Sequence, residues 1–313
     1  MDGLIFGGSK NFRDFMEQVE SYAATDWPIL ILGETGVGKE LITHFIHRLS
    51  SRSRGPLISV NASALPGNLF ESELFGYERG AFSGAVNNSK GLIRTAHGGT
   101  LFLDEIGEIQ APLQAKLLRT LESGEVRSVG STRVEHVDAR FIAATNVDLY
   151  SAVKTGKFRH DLMERISVLR LEVPPLRSRC EDIPLITNHL CQTHGLQIQT
   201  DAIELLKAYH WPGNVRQLKN ILLRAGAISR NQIRRIHIDN LLDDEQTRFS
   251  FPSAPSEQSN LTLADIERNV IETKIAQCQG NKKRAALELG IAKSTLFEKI
   301  RRYKSEELLR QAT

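Results

Sequence analysis

The spacing of apolar and polar residues divides the chain into segments of different period. From about residue 10 to 23, Phe12, Phe15, Met16 and Val19 recur at helical spacing, which predicts an amphipathic helix. Five short, nearly continuous apolar runs follow: WPILILG (27–33), PLISVNAS (56–63), GGTLFLDEIG (98–107), ARFIAATN (139–146) and VLRLEVPPL (168–176). Such runs, separated by helical patterns, predict buried strands, and strands alternating with helices predict a parallel sheet flanked by helices on both faces. Beyond Pro174 and Pro175 the pattern reads as helical with no strand up to about Leu242, so a smaller helical subdomain is expected beside the sheet. Residues 246–260 are rich in Ser, Pro and polar groups, carry too little apolar content to pack, and read as a linker. Two or three helices are expected after it, from roughly 262 to 304. The expected organisation is an α/β subdomain over 1–176, a helical subdomain over 177–245, the linker, and an all-α domain over 261–313.

Charge adds to this picture through its distribution. The net charge of the whole chain is +3, but from Leu261 to the end there are 11 Lys/Arg against 7 Asp/Glu, leaving 29 basic and 30 acidic residues in the first 260. The positive charge therefore sits in the last domain, as contact with nucleic acid requires. Three cysteines, Cys180, Cys191 and Cys278, fit neither a disulfide framework nor a zinc site and are expected to be thiols in a reducing cytosol. The start of the chain lacks a basic segment followed by an apolar one, and the longest clean apolar run, Trp27 to Leu32, falls far short of the ~20 residues that span a bilayer. A soluble, cytoplasmic protein with no membrane partner is expected.

The chemistry concentrates at the ends of the predicted strands. Gly33, Glu34, Thr35, Gly36, Val37, Gly38 and Lys39 follow the first strand and open a helix. In that context G-x-x-x-x-G-K lets backbone N–H groups curl around a phosphate at a helix N-terminus, while the lysine reaches the β- and γ-phosphates. Glu40 stands where Ser or Thr commonly binds magnesium. The run LFLDE places Asp104 and Glu105 at the carboxyl edge of the third strand, where ligands bind in open α/β sheets. Asp104 is suited to hold magnesium and Glu105 to polarise an attacking water. Asn146, ending the fourth strand, is placed to sense a γ-phosphate or orient water; an Asn at a strand end serves equally as a turn residue. ATP and Mg2+ are the expected ligands.

The stretch ESELFGYERGAFSGA (71–85) closely resembles the GAFTGA-loop segment of bacterial enhancer-binding proteins, the AAA+ activators of sigma-54 RNA polymerase. GETGVGKE, GGTLFLDEIGE, LQAKLLRTLE, FRHDLMERISV, PPLRSRCEDI and WPGNVRQLKN extend the resemblance over about residues 5–242, and Glu40 is the family's usual residue. The resemblance implies an AAA+ P-loop NTPase with a helical lid, assembled as a hexameric ring with ATP between subunits and resting as a dimer. A loop of Gly80, Ala81, Phe82, Ser83, Gly84 and Ala85 would project from one face to touch sigma-54, with Phe82 at its tip; Ser83 stands in place of the usual Thr. It implies further that Asn61 is a switch residue bonding the Glu105 carboxylate. Arg159 and Arg165 would reach a neighbour's ATP and neutralise charge on the transferring phosphoryl group. Arg216, in the first turn of a helix capped through Asn214, would reach ATP in its own subunit.

The segment Gly280 to Gly290 reads as a helix with a Gly cap, Ile291–Lys293 as a turn, and Thr295 to Tyr303 as a second helix. From Lys274 to Lys304 there are nine Lys/Arg and two acids. This segment resembles the Fis-type helix-turn-helix that ends many of these activators, with Lys293, Ser294, Thr295, Phe297, Glu298, Arg301 and Arg302 as candidates for the DNA-facing side. A helix near Leu263 to Cys278 would pair two such domains on a palindromic site.

The expected function is ATP-dependent transcription activation. The protein would bind upstream double-stranded DNA and remodel the closed complex of the sigma-54 RNA polymerase holoenzyme. A DNA-bound AAA+ remodeller without sigma contact is the rival, and a nucleotide-regulated DNA-binding module with negligible turnover is a third reading. The motor opens the sequence with no receiver or ligand-sensing domain ahead of it. Control by a separate regulatory protein is therefore one expectation; an N-terminal regulatory domain outside this sequence is the other.

Overall fold

The computed structural model describes residues 7–249 and, further on, residues 267, 271, 274, 282, 286, 290, 292–299 and 303. The chain divides into two compact units, Met1–Gln246 and Thr247–Thr313.

In the first unit α1 (Lys10–Ala23) leads into β1 (Ile29–Leu32), α2 (Lys39–Leu49), β2 (Leu57–Asn61), α3 (Gly67–Phe75), the single turn α4 (Leu92–Thr95) and β3 (Thr100–Asp104). Helix α5 (Ala111–Ser123), the pair β4 (Glu125–Val126) and β5 (Glu135–His136), β6 (Arg140–Thr145), α6 (Leu149–Lys154), α7 (His160–Ile166) and β7 (Leu169–Glu172) complete the α/β part. All five expected strands form one parallel sheet in the order β2-β3-β6-β1-β7. Their apolar runs are continuous because both faces are covered, and the period of two sends alternate residues to opposite cores. Leu30, Leu101, Leu103 and Ala143 join α3, α5 and α7 on one face, whereas Ile29, Ile31, Phe102, Ile142 and Ala144 join α1 and α2 on the other. Each fully buried Leu, Ile or Phe contributes roughly 1.5–3 kcal/mol relative to exposure, so register is strongly fixed. A one-residue slip would exchange the two faces. Parallel pairing from one edge to the other brings the carboxyl ends of β1, β3 and β6 side by side, and the candidate residues lie there.

The lid follows a 3-10 segment at Leu176–Asp182 and contains α8 (Ile183–Thr193), β8 (Gln197–Ile198), α9 (Thr200–Ala208), α10 (Asn214–Ser229), β9 (Gln232–Ile233) and α11 (Arg235–Phe249). It packs around Trp211, which is fully buried and donates its indole N–H to Leu206 O at 2.7 Å. The strand-free reading of this region needs correction. β8 and β9 pair in parallel over two residues, a length too short to leave a periodic signal. Helix α11 also continues past residue 246 to Phe249, into the segment whose composition reads as linker. Among the described residues no helix is long and apolar enough to cross a membrane.

In the second unit, residues 293–299 are helical, with Leu296 N–H bonded to Ala292 O at 3.1 Å. Gly290, at φ +67°, occupies the left-handed conformation expected of a helix-ending glycine.

Candidate functional site

The turn between β1 and α2 carries Gly33 to Lys39. Gly36 sits at φ +80°, and a Cβ there would lie 2.4 Å from Gly213 O, so the lid backbone rests directly on this turn. Arg216 N–H donates to Gly36 O at 3.3 Å, which closes the contact. Lys39 begins α2 and is only 7% exposed, and its Nζ donates to Gly33 O at 2.9 Å and Glu34 O at 3.4 Å. Burial pulls the lysine pKa down; Glu105 and Asp104 oppose that pull, and Arg216 adds to it. The same four charges frame a cavity of about 460 Å³, lined also by Thr35, Gly36, Gly38, Glu40 and Lys219. Three cations and three acids around a glycine-walled cavity at a helix N-terminus fit a polyphosphate with a divalent cation.

Asp104 ends β3 and Glu105 directly follows it, and Asn61, on β2, pairs with Asp104. Glu105 takes the left-handed conformation at φ +54°, unusual for a residue other than glycine. Its N–H donates to Asp104 Oδ1 at 3.0 Å. Asn61 and Glu105 are thus neighbours in the fold, but Asn61 Oδ1 accepts from Ser63 N at 2.9 Å and Ser63 Oγ at 2.7 Å. Among the described residues its partner is Ser63 and not Glu105. Asn146, just beyond β6, donates Nδ2 to Thr35 Oγ1 at 3.0 Å, joining two candidate residues directly.

Arg159, at the N-cap of α7, and Arg165, in its last turn, lie on the surface away from the chain's own cavity. Arg159 is held by Asp161 through Nη2–Oδ2 at 2.7 Å and Nε–Oδ1 at 3.0 Å, and this bonding raises its pKa. Arg165 donates to Leu121 O at 3.4 Å.

Asn214 corrects the sequence reading. It does not cap α10; Gly213 holds the cap position. The Asn214 side chain is committed elsewhere, donating to Glu34 Oε2 at 3.0 Å and Thr35 O at 3.2 Å and accepting from Leu176 N at 2.8 Å. Arg177, quoted in the sequence only as part of a motif, makes a bidentate pair with Glu34.

Residues Gly80–Ala85 form a compact turn: Gly80 N–H bonds Ala85 O at 2.9 Å and Ala85 N–H bonds Phe82 O at 3.0 Å. Phe82 is 41% exposed and lies edge-on to Tyr77, with ring centroids 5.0 Å apart. Below the turn, Glu78 N–H donates to Val129 O at 3.1 Å and Val129 N–H to Gly76 O at 2.8 Å, tying it to the segment between β4 and β5. Buried Arg94 fastens this base, donating to Phe75 O at 2.6 Å, Lys90 O at 3.0 Å, Val126 O at 3.3 Å and Glu135 Oε2 at 3.1 Å. No periodicity or motif marked Arg94.

In the second unit Lys293, Ser294, Phe297 and Glu298 are exposed, Thr295 is half-buried and Leu296 is buried. The Lys282 and Lys293 ammonium groups lie 5.4 and 5.8 Å from the centre of the Phe297 ring. Arg301, Arg302 and most of the proposed pairing helix lie outside the described residues.

The comparisons with known proteins cover the chain in three parts. Residues 5–172 match the Sigma-54 interaction domain, 177–253 the AAA+ ATPase lid domain, and 262–303 the Bacterial regulatory protein, Fis family, model. The chain is 41% identical to the regulatory protein AtoC of Escherichia coli K12, over 96% of this chain and 68% of AtoC. It is 41% identical to the nitric oxide reductase transcription regulator NorR2 of Cupriavidus necator, over 96% of this chain and 63% of that one. NtrX from Brucella abortus, solved in complex with ATP, superposes with a TM-score of 0.70 at 30% identity, covering 96% of this chain and 69% of NtrX. These matches, joined to the phosphate-loop geometry, the lid and the helix 293–299, establish that the chain belongs to the sigma-54-dependent transcriptional regulators, with an AAA+ P-loop NTPase fold and a C-terminal DNA-binding helix-turn-helix.

Proposed function

We propose that the chain hydrolyses ATP in a hexameric ring assembled from resting dimers. It then spends the released free energy on remodelling the sigma-54 RNA polymerase closed complex into an open one, while its last domain holds upstream DNA. The convergence of Lys39, Asp104, Glu105 and Arg216 on one cavity carries this reading. Lys39 and the backbone of 33–38 bind the phosphates. Asp104 would hold magnesium, which supplies charge neutralisation when bound. Glu105 polarises water. Arg216 contacts ATP from the lid of the same subunit, and Asn146 orients the γ-phosphate end through its contact with Thr35. Arg159 and Arg165, exposed and outside the chain's own cavity, act on a neighbouring subunit's nucleotide, and Arg159 must leave Asp161 to do so. The switch role of Asn61 requires its Nδ2 to donate to the Glu105 carboxylate, an atom that the Ser63 bonds to Oδ1 do not use. The motor occupies 1–176 and the lid 177–245. The turn 80–85 contacts sigma-54 through Phe82, and Lys293, Ser294, Thr295, Phe297, Glu298, Arg301 and Arg302 face the DNA.

Phe82→Ala and Lys39→Ala test the reading together. Phe82→Ala is expected to retain ATP turnover and lose open-complex formation on a sigma-54 promoter, whereas Lys39→Ala loses both, turnover by about 10²-fold or more. Promoter melting that survives Lys39→Ala would refute the proposal. Melting that survives Phe82→Ala would remove the turn from it and favour remodelling without sigma contact.

A further inference from the structure

We propose that Glu34 is a positioning residue whose carboxylate fastens the phosphate loop to the lid and so sets where Arg216 stands over the cavity. The inference rests on reading that cavity as the ATP site. Although Glu34 belongs to the phosphate loop, its side chain is not among the described residues lining the cavity. It turns instead toward two lid segments. Arg177, in the segment that leads from the sheet into the lid, donates Nη1 to Oε2 at 2.7 Å and Nη2 to Oε1 at 2.5 Å. Asn214, at the start of α10, donates Nδ2 to the same Oε2 at 3.0 Å.

The geometry around Asn214 shows how firmly this junction is built. Asn214 is fully buried and sits at φ +51°, a conformation that a non-glycine residue keeps only where its surroundings over-determine it. Its amide bridges Glu34, Thr35 O and Leu176 N, so three chain segments meet on one side chain. Arg216 follows two residues later, and its own N–H is bonded to Gly36 O. A rotation of α10 that moved Arg216 would strain the Asn214–Glu34 bond and the Arg216 N–H bond to Gly36 O. A carboxylate beside the phosphates of ATP would be repelled by them; tied to a guanidinium and an amide, it becomes neutral in effect and structural in role.

Arg177 first, and then Asn214, hold the Glu34 carboxyl down at about 2 against partial burial. A lowered carboxylate pKa means that the attachment is complete above the ordinary carboxylate range and is lost only as pH falls toward 2. The junction does not titrate under working conditions.

The test uses the full chain, with steady-state ATP turnover and thermal melting measured for Glu34→Ala, Glu34→Gln, Arg177→Gln, Arg216→Ala and the Glu34→Ala/Arg216→Ala double variant. Glu34→Ala and Arg177→Gln are expected to lower kcat/KM for ATP by about tenfold each, as misplacement of a nucleotide-contacting group does. Glu34→Gln, which still accepts from Asn214, is expected to fall between wild type and Glu34→Ala. In the Arg216→Ala background, Glu34→Ala is expected to add less than about twofold, because a residue that acts through Arg216 has nothing left to position. Losses that multiply in the double variant, or unchanged kcat/KM in Glu34→Ala, overturn the inference. Should Glu34→Ala fail to fold, the cycle is run with Glu34→Gln and Arg177→Gln against Arg216→Ala, and the same two outcomes decide. Absence of turnover in the wild-type chain would instead strike the ATP-site reading itself.

Discussion

Lys39 and Phe82 both belong to glycine-rich turns, and the two turns are held in opposite ways. The turn before Lys39 is gripped from outside. Gly36 is pressed against the Gly213 carbonyl, Thr35 against Asn146, and Glu34 against Arg177 and Asn214. The turn around Phe82 is held mainly by its own backbone. A Cβ added at Gly80 or Gly84 would meet nothing within 4 Å; outside the turn, Phe82 meets the edge of the Tyr77 ring and Ala81 lies against Gly130. Gly36 answers to crowding as well as to backbone conformation, whereas Gly80 and Gly84 answer to conformation alone. The difference separates a cradle that must keep its shape while charge moves from a tip that can leave its resting place at small cost.

Paired alanine substitutions test that separation most severely. Gly36→Ala would drive a methyl group into the lid backbone at 2.4 Å, so the lid and the phosphate loop would have to part. ATP turnover is expected to fall by about 10²-fold or more, the scale of a misplaced catalytic group. Gly84→Ala sits at φ +103° in open space and incurs only conformational strain of about 1–2 kcal/mol, confined to the tip. Its turnover is expected to stay within about twofold of wild type. Equal losses in the two variants, measured by phosphate release, would show that the turns are not mechanically separate.

Why the first turn was legible in the sequence and the second only in part follows from the same contrast. Strand, glycine turn, helix and a pair of acids on a neighbouring strand form a local pattern, and the five buried runs locate their strands without tertiary information. The partners of those residues are not local. Glu34 and Arg177 are 143 residues apart, and Arg94 meets Glu135 across 41. No period in the sequence signals either pair. Asn214 misled because its position after Trp-Pro-Gly suits a helix cap, whereas the fold commits its amide to three other groups. Asn61 ends β2 as its pattern suggests, with Asp104 as its register partner, but its Oδ1 is bonded locally by Ser63, two residues away, and the expected bond to Glu105 is not made. The short β8–β9 pair had no pattern to read.

The loose tip stands on a firm base, and Arg94 is where that base can be broken. Arg94 is 5% exposed, and its guanidinium serves three carbonyls besides Glu135. Arg94→Ala would leave buried carbonyls without donors and is expected to cost about 3 kcal/mol in urea unfolding. Glu135→Gln removes only the charge of the outer, 43%-exposed partner and is expected to cost less than about 1 kcal/mol. If the two variants were equally destabilising, the ion pair rather than the carbonyl contacts would be what fastens the base.

The smallest effect probes the tip itself. Edge-on aromatic pairs contribute about 1 kcal/mol beyond the area they bury, so Tyr77→Leu should shift the population of released Phe82 by roughly fivefold. The base hydrogen bonds through Glu78 N–H and Gly76 O are backbone bonds that the substitution leaves in place, and the cavity lies on other elements. Basal turnover is therefore expected to hold. A Phe82→Trp reporter placed in both backgrounds would read the release directly, with emission moving to the red and anisotropy falling when Tyr77 is replaced. Identical spectra in the two backgrounds would mean that the Gly80–Ala85 and Phe82–Ala85 backbone bonds alone hold the tip. The contrast between the two turns would then be one of crowding only, not of how readily each lets go.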